Sequence, residues 1–146
     1  MVTVFIERFE IEINRLIEEL NLYKSEEDIW KIKEGISNSA GNLTLHLTGN
    51  LNYFIGTILG NTGYVRERDK EFSEKNKPRV LLVQDLENVA ALIRKILPTV
   101  KETEFDKEFP VPIGNKTSST TGVLLHLATH FTYHLGQVNY HRRLVS

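Results

Sequence analysis

A chain of 146 residues that is 40% hydrophobic and 25% charged has the size and composition of one globular domain, which excludes a disordered or fibrous chain. Eighteen basic residues against nineteen acidic ones leave a formal charge of −1, and no stretch concentrates Lys and Arg as a nucleic-acid surface would. The absence of cysteine removes disulfides, thiolate nucleophiles and Cys-type zinc sites, and fits a reducing, cytoplasmic setting.

The first residues, Met1 to Glu7, turn charged too soon for a signal-peptide core, and no window holds the ~18 apolar residues of a membrane span. From Val4 to Tyr23, Phe5, Phe9, Ile13, Leu16 and Leu20 recur at helical spacing between charged residues, predicting an amphipathic helix. Ser25 is placed to cap a short turn carrying Ile29 and Trp30, and Lys31 to Asn38 reads as a connector broken by Gly35. A second helix is expected from Ser39, a favourable N-cap, to about Leu59, where Gly60-Asn-Thr-Gly63 stops it. Tyr64 to Lys77 is a charged connector with room for one helical turn. The mixed charges of Arg66 and Arg68 with Asp69 and Glu71 are expected to pair as a clasp. A third helix begins after Pro78, with Leu82, Leu86, Val89, Ile93, Ile96 and Leu97 as its stripe, and Pro98 marks its end. Lys101 to Ser118 is a long connector, extended around Pro110 and Pro112. The fourth helix runs from Ser119 or Thr120 to about Leu144. Its apolar residues lie on several sides, so it is expected to be the most buried of the four, with Tyr133 and Tyr140 in core packing and Gly136 at a close helix contact. Four long helices without strand-type alternation predict an all-α bundle, a single domain over 1–146.

Five histidines stand out, four of them in the last 21 residues. His126, His130 and His134 follow one another at i, i+4 and i+8, a step that turns only about 40° around a helix and brings adjacent imidazoles within reach of one ion. Buried imidazoles without partners cost ~1–3 kcal/mol each, and a metal ion satisfies several together. His46 lies in an uncharged stretch of the second helix and can join them from a facing element. Spacing alone pairs His130 with either His126 or His134. Asn50, one turn beyond His46, and Gln137, three residues after His134, are candidates to hydrogen-bond a ligand ring. His141, beside Arg142 and Arg143, reads instead as a cation that complements the helix dipole.

The stretch His126-Leu-Ala-Thr-His130-Phe-Thr-Tyr-His134-Leu-Gly-Gln137 resembles the C-terminal signature of the DinB/YfiT-like superfamily. Asn42-Leu-Thr-Leu-His46-Leu-Thr-Gly-Asn50 is similar to its helix 2 motif. The resemblance covers nearly the whole chain in element order. It implies an up-down-down-up four-helix bundle with a divalent ion, zinc or nickel, on His46, His130 and His134. It demotes His126 to a supporting position. It also implies a homodimer acting on a small molecule, with a low-molecular-weight thiol of the bacillithiol type as a cosubstrate in an S-transferase. Three ligands leave a coordination position open, as in catalytic sites, so a hydrolase fits the same residues. The alternative is a non-catalytic, metal-binding dimeric scaffold with a stress-related role.

Overall fold

Helical periodicity becomes five α-helices in the computed structural model, which describes residues 1–146: α1 Val2–Leu22, α2 Ala40–Leu51, α3 Arg68–Ser73, α4 Arg79–Ile96 and α5 Thr120–Val145. There is no strand. Phe109 to Ile113, expected to be extended, instead bends at Pro110 and Val111, and this part of the connector pairs only through isolated bridges, Glu108 with Ser119 and Ile113 with Lys116.

Each long helix buries the stripe its sequence displays. Phe5, Phe9, Ile13, Leu16 and Leu20 of α1 and Leu82, Leu86, Val89, Ile93 and Ile96 of α4 all enter one core cluster. Removing such a side chain from water is worth about 1.5–3 kcal/mol, so these stripes orient the helices. α1 packs against α4 and α5, and α2 packs against the same two helices. The short turn Glu27–Trp30 follows Ser25, whose hydroxyl accepts from the Asp28 amide at 3.3 Å. Trp30 lies flat against Gly41, where an added Cβ would meet the indole at 2.6 Å.

Helix starts follow the capping chemistry. The Ser39 hydroxyl accepts from the Asn42 amide at 3.1 Å, and the Ser119 hydroxyl accepts from the Gly122 amide at 3.0 Å. Downstream of Leu51, α2 continues to Leu59 but winds more loosely, as a π-helix over Asn52–Leu59. The expected single helix to Leu59 is therefore two kinds of turn in one rod.

Burial differs from expectation on α5. All twelve residues of α2 are buried, which makes α2 and not α5 the innermost element. Leu125, Tyr133, Tyr140 and Leu144 of α5 are exposed, so the two tyrosines are surface residues and not core. Gly136 makes no close helix contact, and a Cβ there would meet open space. An apolar residue on every side of a helix is satisfied by only as many faces as its neighbours cover. Among the long helices α5 is covered mainly by α1 and α2.

Candidate metal centre

His46 projects from the middle of α2, and His130 and His134 project from successive turns of α5, the element packed beside it. One ring nitrogen from each lies within 4.8 Å of the other two, so the three could hold a metal ion. The Nε2 atom of His130 is 3.0 Å from Nε2 of His46 and 3.2 Å from Nε2 of His134. Nitrogens that share a tetrahedral ion at ~2.0–2.1 Å lie about 3.3 Å apart, so the spacing fits a shared ion.

The outward nitrogens decide where the lone pairs point. The Nδ1 of His46 is 3.0 Å from Oε1 of Glu71. An ionised carboxylate only accepts, so this Nδ1 carries the proton and the Nε2 lone pair faces the centre. The Nδ1 of His134 likewise donates to Oε1 of Gln137 at 2.6 Å. A neutral imidazole has one N–H, and both rings spend it outward. In that neutral form, three nitrogens converge with at most one proton, on His130, to share among them. Nδ1 of His130 is buried without a partner. This donor set fits a divalent cation better than it fits a hydrogen-bonded cluster.

Burial lowers the pKa of His130 to about 3, and the neighbouring imidazoles of His134, His46 and His126 and the Arg66 guanidinium push the same way. Burial also lowers His134, against the opposing hydrogen bond to Gln137. Both rings are therefore neutral at physiological pH, the form that ligates.

Glu71 is the residue that sequence reasoning placed elsewhere. The clasp exists: Arg66 donates from Nε to Oε2 and from Nη2 to Oε1 of Glu71, both at 3.0 Å. The same carboxylate, 6% exposed, also orients His46, so the clasp and the site are one structure. Asp69 takes no part, being exposed, and Arg68 lies over the Phe72 ring. Burial raises the Glu71 pKa, but the hydrogen bonds from His46 and Arg66 outweigh it and hold the carboxyl below its usual range.

Two residues of α2 put Glu71 there. Asn42 donates from its amide to the carbonyls of Glu71 at 3.0 Å and Glu74 at 2.8 Å, which docks α3 on α2. Gly49 leaves the space that the carboxylate fills, since a Cβ would stand 2.7 Å from Cδ of Glu71. Asn42, His46 and Gly49 are spaced four and three apart, on one helix face. That pattern of amide, imidazole and hydrogen is the signal in the sequence that a docked partner was needed.

The other expected residues divide. His126 is exposed, stacks on His130 with centroids 6.1 Å apart and stays outside the converging group. Asn50 is buried, and its amide oxygen has no partner, so it does not bond any of the three rings. His141 is not a surface cation. It is buried, Nδ1 accepts from the Tyr23 hydroxyl at 2.6 Å and Nε2 donates to the Lys31 carbonyl at 2.8 Å. Burial lowers its pKa, and the ring ties the end of α5 to α1 and the connector after Trp30.

Fold and site together define an all-helical protein with a three-histidine group able to hold a metal ion. The chain belongs to the family described as protein of unknown function (DUF1572), whose model matches residues 2–146. No curated protein matches it. No helix is long and apolar enough to cross a membrane.

Proposed function

We propose that this protein is a divalent-metal-dependent enzyme, a low-molecular-weight-thiol S-transferase or a hydrolase, with His46, His130 and His134 as ligands. The observation that carries the reading is the convergence of three Nε2 atoms, two of them on rings whose orientations are fixed from outside by Glu71 and Gln137. The helix contacts, with α1 and α2 each between α4 and α5, support an up-down-down-up four-helix bundle of the DinB/YfiT-like kind. The whole chain is then a single domain acting as a cytoplasmic homodimer. Three nitrogen donors suit zinc or nickel.

An ion held there supplies a Lewis acid that lowers the pKa of a bound water or thiol to near neutrality. The chain's own residues do the rest. Glu71 and Gln137 hold two rings in the ligating tautomer. Burial keeps His130 neutral. Arg66 balances the Glu71 charge, so the carboxylate stays ionised and acts only as an acceptor. Three protein ligands leave a coordination position free for substrate.

The test is elemental analysis of protein purified without an affinity tag, wild type against His130→Ala. Near-stoichiometric metal in the first and little in the second is expected; equal metal in both overturns the ligand assignment. Metal-loaded protein is then assayed with a panel of thiols and electrophiles and with ester and amide substrates. Turnover that chelation abolishes is the expected result, and absence of any turnover removes the enzymatic reading.

A further inference from the structure

A cavity of about 500 Å³ opens beside His134, within the size range of small-molecule sites. Its walls come from the connector around Ile36 and Ser37, from Leu43 of α2, and from Tyr133, Gln137 and Tyr140 of α5. The eleven lining residues include no Asp, Glu, Lys or Arg, in a chain where a quarter of the residues are charged. The two histidines in the wall are already hydrogen-bonded within the protein. His134 uses its one N–H on Gln137, and His141 accepts from Tyr23 at one nitrogen while donating to Lys31 at the other.

Charge is not scarce near the site; it gathers mainly on the other side, apart from Arg143, which is outside the lining with its guanidinium over the Tyr140 ring at 5.8 Å. Glu67, Lys70, Glu74, Lys77 and Asp85 line a separate cavity of about 250 Å³ bordered by Glu71. A charged substrate entering beside His134 meets no oppositely charged residue in the cavity wall, and a charge that loses water there without a partner is disfavoured. The apolar part of the wall is also unusual for a surface. Tyr133 and Tyr140 are 66% and 67% exposed, so core packing does not explain them. Tyr133 stands edge-on to the His134 ring at 5.4 Å between centroids, which places an aromatic body next to a proposed ligand. Ser37 and Gln137 add a few polar groups to orient what binds.

We infer that this cavity receives an uncharged small molecule with an aromatic or alkyl body and a polar reacting group, presented to the histidine group at His134. The inference rests on the reading of those histidines as the reaction centre. It assigns the cavity to a neutral electrophile, ester or amide and not to an anionic thiol cosubstrate.

The experiment titrates ¹⁵N-labelled, tag-free protein, metal-free and metal-loaded, with benzamide, benzoate and benzamidinium, three probes of one shape and three charges. Benzamide is expected to shift the amides of Gly35, Ser37 and Gln137 and to bind about tenfold tighter than either charged probe in the metal-free protein. The Tyr133→Ala, Tyr140→Ala double variant, altered only at exposed positions, is expected to lose about tenfold in benzamide affinity while binding as much metal as wild type. Ser37→Arg is expected to turn the preference toward benzoate. The inference is overturned if a charged probe binds metal-free protein as tightly as benzamide. It is equally overturned if benzamide shifts residues elsewhere or none, or if the double variant binds it unchanged. Metal analysis keeps the two readings apart. Wild type without metal removes the reaction centre and leaves the metal-free titration to be read on its own, whereas failure of benzamide in metal-replete protein removes this inference alone.

Discussion

Glu71→Gln is the sharpest perturbation of the candidate centre, because it keeps shape while removing the charge and one acceptor oxygen. The carboxylate accepts three hydrogen bonds, one from His46 and two from Arg66, each at 3.0 Å. A glutamine has one oxygen and an amide that can only donate, so at least one of these donors loses its acceptor and Arg66 loses its counter-ion. Removing one member of a buried pair costs about 3 kcal/mol or more. Arg66 keeps some solvent contact, its side chain being 13% exposed, so the low end of that range is expected for the metal-free protein. The fold should survive, because Asn42 docks α3 through the backbone carbonyls of Glu71 and Glu74 and not through the carboxylate. The larger signal is in metal affinity. Loss of an outer partner of a ligating histidine weakens binding ~10–100-fold, about 1.4–2.7 kcal/mol. Competition against a chromophoric chelator measures it. Long-range ¹⁵N spectra of the His46 ring supply a second readout: proton on Nδ1 in wild type, mixed tautomers in the variant. A folded Glu71→Gln protein with wild-type metal affinity and an unchanged tautomer would refute the orienting role.

Gly49→Ala attacks the same contact from the opposite helix. Alanine is worth ~1 kcal/mol over glycine in an ordinary helix interior, but here its Cβ stands in the space of the Glu71 carboxyl group. Denaturant melts should show net destabilisation and chelator competition a loss of metal affinity like that of Glu71→Gln; a stabilised variant with intact metal binding contradicts the packing argument. Acid should destabilise the metal-free protein. His130, His134 and His141 all have folded pKa values below the ordinary 6.5, so the unfolded chain takes up protons first as pH falls. Their contribution is complete above about pH 6.5 and declines below it, over a window that for His130 extends to about 3. The depressed Glu71 acts in the same direction, its contribution being lost as pH falls through its folded pKa. Urea melts at steps between pH 7 and 4 should show stability falling throughout, and a flat or rising profile between 6.5 and 5 refutes the assignment.

The helices were legible where one periodicity decides. The stripe of α1, the caps at Ser39 and Ser119 and the start after Pro78 depend on neighbours within a few residues, and they fall where spacing and capping chemistry place them. The looser winding of Asn52–Leu59 was not legible, because apolar residues four apart suit either helix at that length. His130 and His134 come together by local geometry alone, since four residues make one turn. His46 required a tertiary contact, which the family resemblance supplied and the spacing did not. The exposure of Tyr133 and Tyr140 was misjudged because sequence reports how apolar a helix is and not how many neighbours cover it. His141 was misjudged because its partners, Tyr23 and Lys31, lie more than a hundred residues away.

The three histidines differ in what holds them, and the difference divides the site into two functions. His46 is the most constrained: it sits on a wholly buried helix, its ring stands against Phe72 at 4.9 Å, and a charge-paired carboxylate fixes its proton. His134 is held only by an exposed glutamine one turn along its own helix, and it is the one member of the group that lines the uncharged cavity. His130 lies between them with its outer nitrogen unpartnered, placed by packing and by the two rings it faces. Rigidity and charge are therefore concentrated on the α2–α3 side, where displacing a carboxylate would disturb the ligand geometry. The open side, whose cavity wall carries no charged residue, lies along α5, where a molecule can enter without breaking an ion pair. Substitutions behind His46 should accordingly change how tightly an ion is held. Substitutions around Tyr133 and Tyr140 should change what binds beside it while leaving the ion in place.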